Sequence, residues 1–143
     1  MKTLRTLFRN DAGATVVEFG LLLPVILTGF LGVLQVGIAM LAYNGMRNVT
    51  AEASRYALVE YQNSRTMGSW AVIETYAENK APNNGLTPSK FELKVANAPT
   101  QRVSGAIELT MTATYQVTSV LPFLGLKDFE TKYSRPLFLI DES

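Results

Sequence analysis

Residues 13–43 read GATVVEFGLLLPVILTGFLGVLQVGIAMLAY. Glu18 is the single charge among them, and no further charge follows until Arg47. From Phe19 to Tyr43 only Pro24, Thr28, Gln35 and a few glycines interrupt the apolar run. A bilayer core takes about 20 apolar residues as a helix, so this stretch can span one with some tilt. The rest of the 143-residue chain is too small to wrap it as the core helix of a globular domain. A cleaved secretory signal fits no better. Its apolar region would be roughly 7–15 residues, and IAMLAYN at 38–44 offers no good A-x-A site.

The flanks give an orientation. Lys2, Arg5 and Arg9 precede the span, with Asp11 as the single acid. Positive charge stays cytoplasmic, so the short head is inside and the long C-terminal part outside, which in a bacterium is the periplasm. Arg47 and Arg55 on the far side weaken this bias without reversing it. The expected setting is therefore a single-pass inner-membrane protein whose first partner is the lipid bilayer, with membrane span about 19–43.

Beyond the span the helical period continues. Met46, Val49, Ala53, Tyr56 and Val59 or Glu60 recur at spacings of three and four, while Arg47, Asn48, Glu52 and Arg55 fall on other faces. No proline lies between Pro24 and Pro82, and Gly45 is the one weak point. The pattern predicts one long helix from about Ala14 to about Tyr61, on the order of 70 Å at 1.5 Å per residue. Its first half lies in lipid and its second half packs on a folded domain.

QNSRTMGS at 62–69 is a polar break, and WAVIETYAENKA at 70–81 is a short helix with Trp70, Ile73, Tyr76 and Ala77 on one face. APNNGLTPSK at 81–90 is a loop by its composition. The period then changes to two. KFELKVANA puts Phe91, Leu93 and Val95 on one face. GAIELTMTATYQVTSV puts Ile107, Leu109, Met111, Ala113, Tyr115 and Val117 on one face, with Glu108, Thr110, Thr112, Thr114 and Gln116 on the other. LPFLGLKD is an apolar turn, and FETKYSRPLFLI a third strand with Phe129, Thr131 and Tyr133 in register and Pro136 at an edge or end. Three strands need a cover for their apolar face, and the outer half of the long helix supplies one. The expected fold is α+β, a long N-terminal helix packed on a small antiparallel sheet. Its divisions are a basic leader at 1–13, the helix at 14–62 and a periplasmic α+β domain at 63–143.

Composition narrows the chemistry. A net charge of +1 gives no global attraction to nucleic acid. The absence of cysteine and histidine removes thiolate chemistry, the commonest general base and the commonest zinc ligand. No cofactor or metal is expected, and no catalytic residue. A tethered enzyme would have to use Ser89 with Lys90, or Asp128 with Glu130. Neither pair has a supporting motif, and neighbours on a strand point to opposite faces. Asn48-Val49-Thr50 matches a glycosylation sequon and reads as chance so close to a membrane.

Glu18 needs a reason. A carboxylate at a helix centre in a bilayer costs about 2.5–3.5 kcal/mol on insertion scales, and less near the interface. Near a helix start the dipole also favours it, so a plain interfacial acid is one reading. The other begins from Gly13. A cut between Gly13 and Ala14 would give Ala14 a new ammonium group, with Glu18 the fifth residue of the shortened chain. That cation and the carboxylate of a neighbouring subunit could neutralise each other in low dielectric.

A short basic leader, Gly, a cut, then an apolar helix with Glu at the fifth position resembles the class III signal of type IV pilins and pseudopilins. Within that superfamily the chain is most similar to TadE-like proteins of the Tad (Flp) tight-adherence pilus system. GATVVEFGLLLPVIL carries the resemblance, with Glu18-Phe19 and Pro24 as its strongest marks. NVTAEASRYAL at 48–58 resembles the family's Ala- and Arg-rich segment through Ala53, Arg55, Tyr56 and Ala57, although Ser54 stands where a small Gly-Ala pair is usual. TYQVTSVLPFLGL at 114–126 resembles its late strand and apolar turn. The resemblance implies a minor pseudopilin, inserted in the inner membrane, cut by the prepilin peptidase and used in pilus biogenesis and adherence. Gly13 and Ala14 then serve the peptidase, Glu18 serves docking, and Pro24 loosens the helix by removing one hydrogen bond. Implied partners are the prepilin peptidase, other pilin and minor pilin subunits and the inner-membrane pilus assembly platform. The alternative is an uncleaved single-pass protein that scaffolds an envelope or secretion complex, with Glu18 as a helix cap.

Overall fold

The structure, a computed structural model, describes residues 11–64 and 69–140. Lys2, Arg5 and Arg9 lie outside them. The first element is helix α1, Asp11–Ser64, of 54 residues or about 80 Å. Its described residues include the whole of the expected Ala14–Tyr61 helix. Helix α2 (Trp70–Lys80) follows, capped by the Ser69 hydroxyl, which accepts from the Ala71 amide at 3.4 Å. Strands β1 (Phe91–Asn97), β2 (Ala106–Val117) and β3 (Phe129–Ile140) form one antiparallel sheet in the order β1-β2-β3. The expected α+β architecture is the one found.

One face of the sheet is the core. Phe91, Leu93 and Val95 from β1 meet Leu109, Met111, Ala113 and Val117 from β2, with Leu137 and Leu139 from β3. α2 lies against β1 and adds Ile73 and Ala77. The outer half of α1 crosses β2 and β3 through Ala42, Met46, Val49, Ala53, Ala57 and Tyr61. The stripe passes through Ala57 and Tyr61 rather than Val59 or Glu60, which are both exposed, while Tyr56 is half-buried. Spacings of three and four admit both continuations, and alanine allows the closer approach. Two hydroxyls sit in this apolar contact, and both are satisfied. Thr50 Oγ1 donates to the Met46 carbonyl and Ser54 Oγ to that of Thr50, each at 2.7 Å. Of the sequon, Val49 and Thr50 are buried in the helix contact, while Asn48 is exposed.

Gly45 is a close-approach point rather than a weak one. An ideal Cβ there would lie 2.6 Å from the Asn84 carbonyl oxygen and 3.1 Å from Leu86 Cδ2. The 81–90 loop therefore rests directly on the α1 backbone, and Leu86 joins the core.

The alternation on β2 holds from Leu109 to Ala113 and fails at the strand's start. Ile107 is exposed, whereas Glu108 is buried. The 98–105 loop folds back over the outer face, and its Arg102 brackets the Glu108 carboxylate. The Arg102 amide donates to Oε2 at 2.9 Å and Nε to Oε1 at 2.7 Å, with Nη2 adding a further bond to Oε1. The guanidinium also lies 5.6 Å from the Phe138 ring centroid.

Both sheet edges are managed. On β1, Glu74 of α2 accepts from the outward Val95 amide at 2.9 Å. Edge strand β3 carries Lys132, Arg135 and the expected Pro136.

Candidate functional site

The first half of α1 leaves the domain. Every described side chain from Gly13 to Leu27 is exposed, including Val16, Phe19, Leu21, Leu22 and Val25. A helix with that much apolar surface is long and apolar enough to cross a membrane.

Gly13, Ala14 and Glu18 occupy its first described turns, and Pro24 follows about 9 Å further along the axis at 1.5 Å per residue. None of the four touches the sheet. The Gly13–Ala14 bond lies within the described helix rather than in an extended segment. A peptidase acting there would have to open that part of the helix. Gly13 lowers the cost by about 0.5–1 kcal/mol relative to alanine. A Cβ at Gly13 would meet nothing within 4 Å, so no packing in this chain calls for a glycine.

Ala14 and Glu18 are one helical turn apart and share a face. The Glu18 side chain is exposed, and no described residue forms an ion pair with it. Pro24 leaves the Gly20 carbonyl without its helical donor. The helix nevertheless runs through it, and Thr28 Oγ1 donates to the Pro24 carbonyl at 2.7 Å.

Where the span meets the domain, the structure shows a residue whose role the sequence reading missed. Gln35 reads as an interruption of the apolar run. Its Oε1 accepts from the Val120 amide at 2.7 Å, and its Nε2 donates to the Thr118 carbonyl at 3.2 Å. A glutamine in an otherwise apolar helix is the signal that could have found it, because both ends of an amide need partners. Ile38 and Ala39 pack on the core one turn later.

Three of the four side chains weighed for catalysis make contacts within the domain. Asp128 Oδ1 accepts from the Ser119 amide at 2.9 Å. Lys90 Nζ donates to the Thr118 hydroxyl. Glu130 pairs with Lys132 on the surface at 2.7 Å.

Residues 13–55 match the family described as TadE-like protein. No curated protein and no solved structure matches the chain. The matched segment opens at Gly13, contains Glu18 and Pro24, and closes at Arg55, where α1 is packed on the sheet. Over that segment, somewhat under a third of the chain, the protein is similar to TadE-like proteins.

Proposed function

We propose that this protein is a minor pseudopilin of a Tad-type pilus, a structural and assembly subunit rather than an enzyme. The observation that carries the reading is the coincidence of the TadE-like segment with a helix whose first half is apolar and uncovered. In the membrane that half spans the bilayer. In an assembly it packs against the same half of neighbouring subunits and the inner-membrane assembly platform.

The basic head at Lys2, Arg5 and Arg9 stays in the cytoplasm, and the sheet domain is periplasmic. Prepilin peptidase cuts after Gly13, and the new Ala14 ammonium seeks the Glu18 carboxylate of a neighbour. From Glu18 to Gln35 the helix rises about 26 Å at 1.5 Å per residue, close to the roughly 30 Å of a hydrocarbon core. Gln35 then marks the outer boundary, because its amide is bonded to the domain.

The test is intact mass spectrometry of membrane-extracted protein from cells with and without a Tad-type prepilin peptidase. The expected mature chain starts at Ala14 only when the peptidase is present. Retention of Met1 in peptidase-positive cells would favour the uncleaved scaffold.

A further inference from the structure

The turn between β2 and β3 has no role in the fold that accounts for its composition. Leu121 is buried beneath it, but Phe123 is 67% exposed, Leu124 50% and Leu126 52%. The base is pinned to the helix and its neighbours: Gln35 holds Thr118 and Val120, Asp128 holds Ser119, and Lys90 holds the Thr118 hydroxyl. These bonds fix the turn beside the point where the uncovered apolar half of α1 meets the domain. Near the turn, Gln35, Val36, Ala39, Met40 and Phe129 are among the residues that line one shallow, mostly apolar groove.

The level of the turn follows from helix arithmetic. Glu18 to Gln35 is about 26 Å at 1.5 Å per residue, against about 30 Å for a hydrocarbon core. With Glu18 at the cytoplasmic boundary, Gln35 therefore reaches only the inner edge of the opposite interface. Tilt would draw it deeper. The turn bonded to Gln35 cannot then stand clear of the bilayer.

Its chemistry suits that place. Pro122 has no N–H, the Leu124 amide donates to the Leu121 carbonyl at 3.1 Å, and the Gly125 amide donates to the Pro122 carbonyl at 3.0 Å. Two of the turn's amides are thereby satisfied within it, which lowers the cost of desolvating them. Lys127 stands exposed just behind the apolar tip, a position suited to phosphate headgroups.

We infer that the Leu121–Leu126 turn is a second membrane contact, which seats Phe123, Leu124 and Leu126 in the headgroup–acyl boundary of the leaflet facing the domain. This rests on the reading that α1 spans the bilayer. The occupant is lipid, and the two contacts together fix the tilt and rotation of the domain on the membrane.

The test uses the full chain reconstituted in phosphatidylcholine–phosphatidylglycerol vesicles. Trp70 is the sole tryptophan, so Trp70→Phe supplies a silent background. Three reporters are placed in it singly: Phe123→Trp in the turn, Ile26→Trp in the span and Leu58→Trp on the exposed domain. Lipids brominated near the ester end or near the chain end read depth. Phe123→Trp should emit at short wavelength and be quenched at least twofold more by the shallow bromines than by the deep ones. Leu58→Trp should emit as in water and be quenched by neither. Water-like, unquenched emission from Phe123→Trp, with Ile26→Trp quenched by deep bromines, would overturn the inference and leave the span intact. An unquenched Ile26→Trp would overturn the span itself. A blue-shifted Phe123→Trp that ignores bromine and responds to protein-to-lipid ratio would place a second copy on the turn, and would overturn the lipid assignment too.

Discussion

The Val120 amide donates to Gln35 Oε1 at 2.7 Å, joining positions 85 residues apart. That bond ties the helix at the edge of its uncovered half to the turn that closes the sheet. Gln35→Leu would keep α1 apolar but strand the Thr118 carbonyl and the Val120 amide. Losing such partners costs about 1–3 kcal/mol where the groups cannot reach water. Insertion should be unchanged, while amide hydrogen exchange over residues 118–126 should accelerate. Unaltered protection there would show that Asp128 and Lys90 hold the turn without help.

Gly45→Ala tests the close approach of the 81–90 loop. The added Cβ would meet the Asn84 carbonyl oxygen at 2.6 Å, and backbone gives way less readily than a side chain. Overpacking of this kind costs about 1–3 kcal/mol. Gly29→Ala is the control, since a Cβ at Gly29 meets nothing within 4 Å. The expected outcome is a lower thermal midpoint for Gly45→Ala alone, measured in detergent. Equal midpoints would mean that the loop moves aside freely.

The Arg102–Glu108 contact sets an acid limit on stability. Hydrogen bonding from the Arg102 side chain, then from its backbone amide, holds the Glu108 carboxyl below its ordinary range. A depressed carboxyl stabilises the fold above its unfolded pKa, about 4.3, and loses that contribution as pH falls through the folded value. Urea unfolding followed by Trp70 fluorescence should therefore weaken from about pH 5 downward. Glu108→Gln should be less stable at neutral pH and show a flatter acid limb. A limb as steep as that of the unmodified protein would assign acid sensitivity to other carboxyls.

The processing junction separates two effects at Gly13. Gly13→Ala stiffens that part of α1 by about 0.5–1 kcal/mol, and should slow the cut without abolishing it. Gly13→Leu places a bulky side chain before the scissile bond, and should block the cut while insertion proceeds. Pulse-labelling with peptidase distinguishes them. Equal cleavage rates for both variants would remove any requirement for a small residue.

Much of this architecture was legible because two periods stand apart in the sequence. The span is apolar without a charge from Phe19 to Met46, and Leu109, Met111 and Ala113 alternate cleanly with threonines. What was not legible came from the chain meeting itself. Glu108 has the parity of a solvent residue and is buried only because the 98–105 loop returns over it. Gly45 looks like a helix defect until the 81–90 loop is laid against it. Ile107 has core parity but is exposed near the sheet end. The proposed processing site is a different case. Gly13, Ala14 and Glu18 were read from a motif, and the structure adds only that they lie exposed on α1.

The most direct test of the proposed assembly role is Glu18. Glutamine keeps the size of the side chain and can still accept a hydrogen bond, so a helix cap would tolerate the change. If Glu18 pairs with the Ala14 ammonium of a neighbour, Glu18→Gln leaves that cation unpaired, at a cost of roughly 3–5 kcal/mol in a buried site. The measurement is site-specific crosslinking to pilus subunits, with a pilus count, in cells carrying each variant as the only copy. Glu18→Gln should insert and be cut normally, yet neither crosslink nor support piliation, and Glu18→Asp should fall between. Normal crosslinking and normal pili with Glu18→Gln would contradict the account.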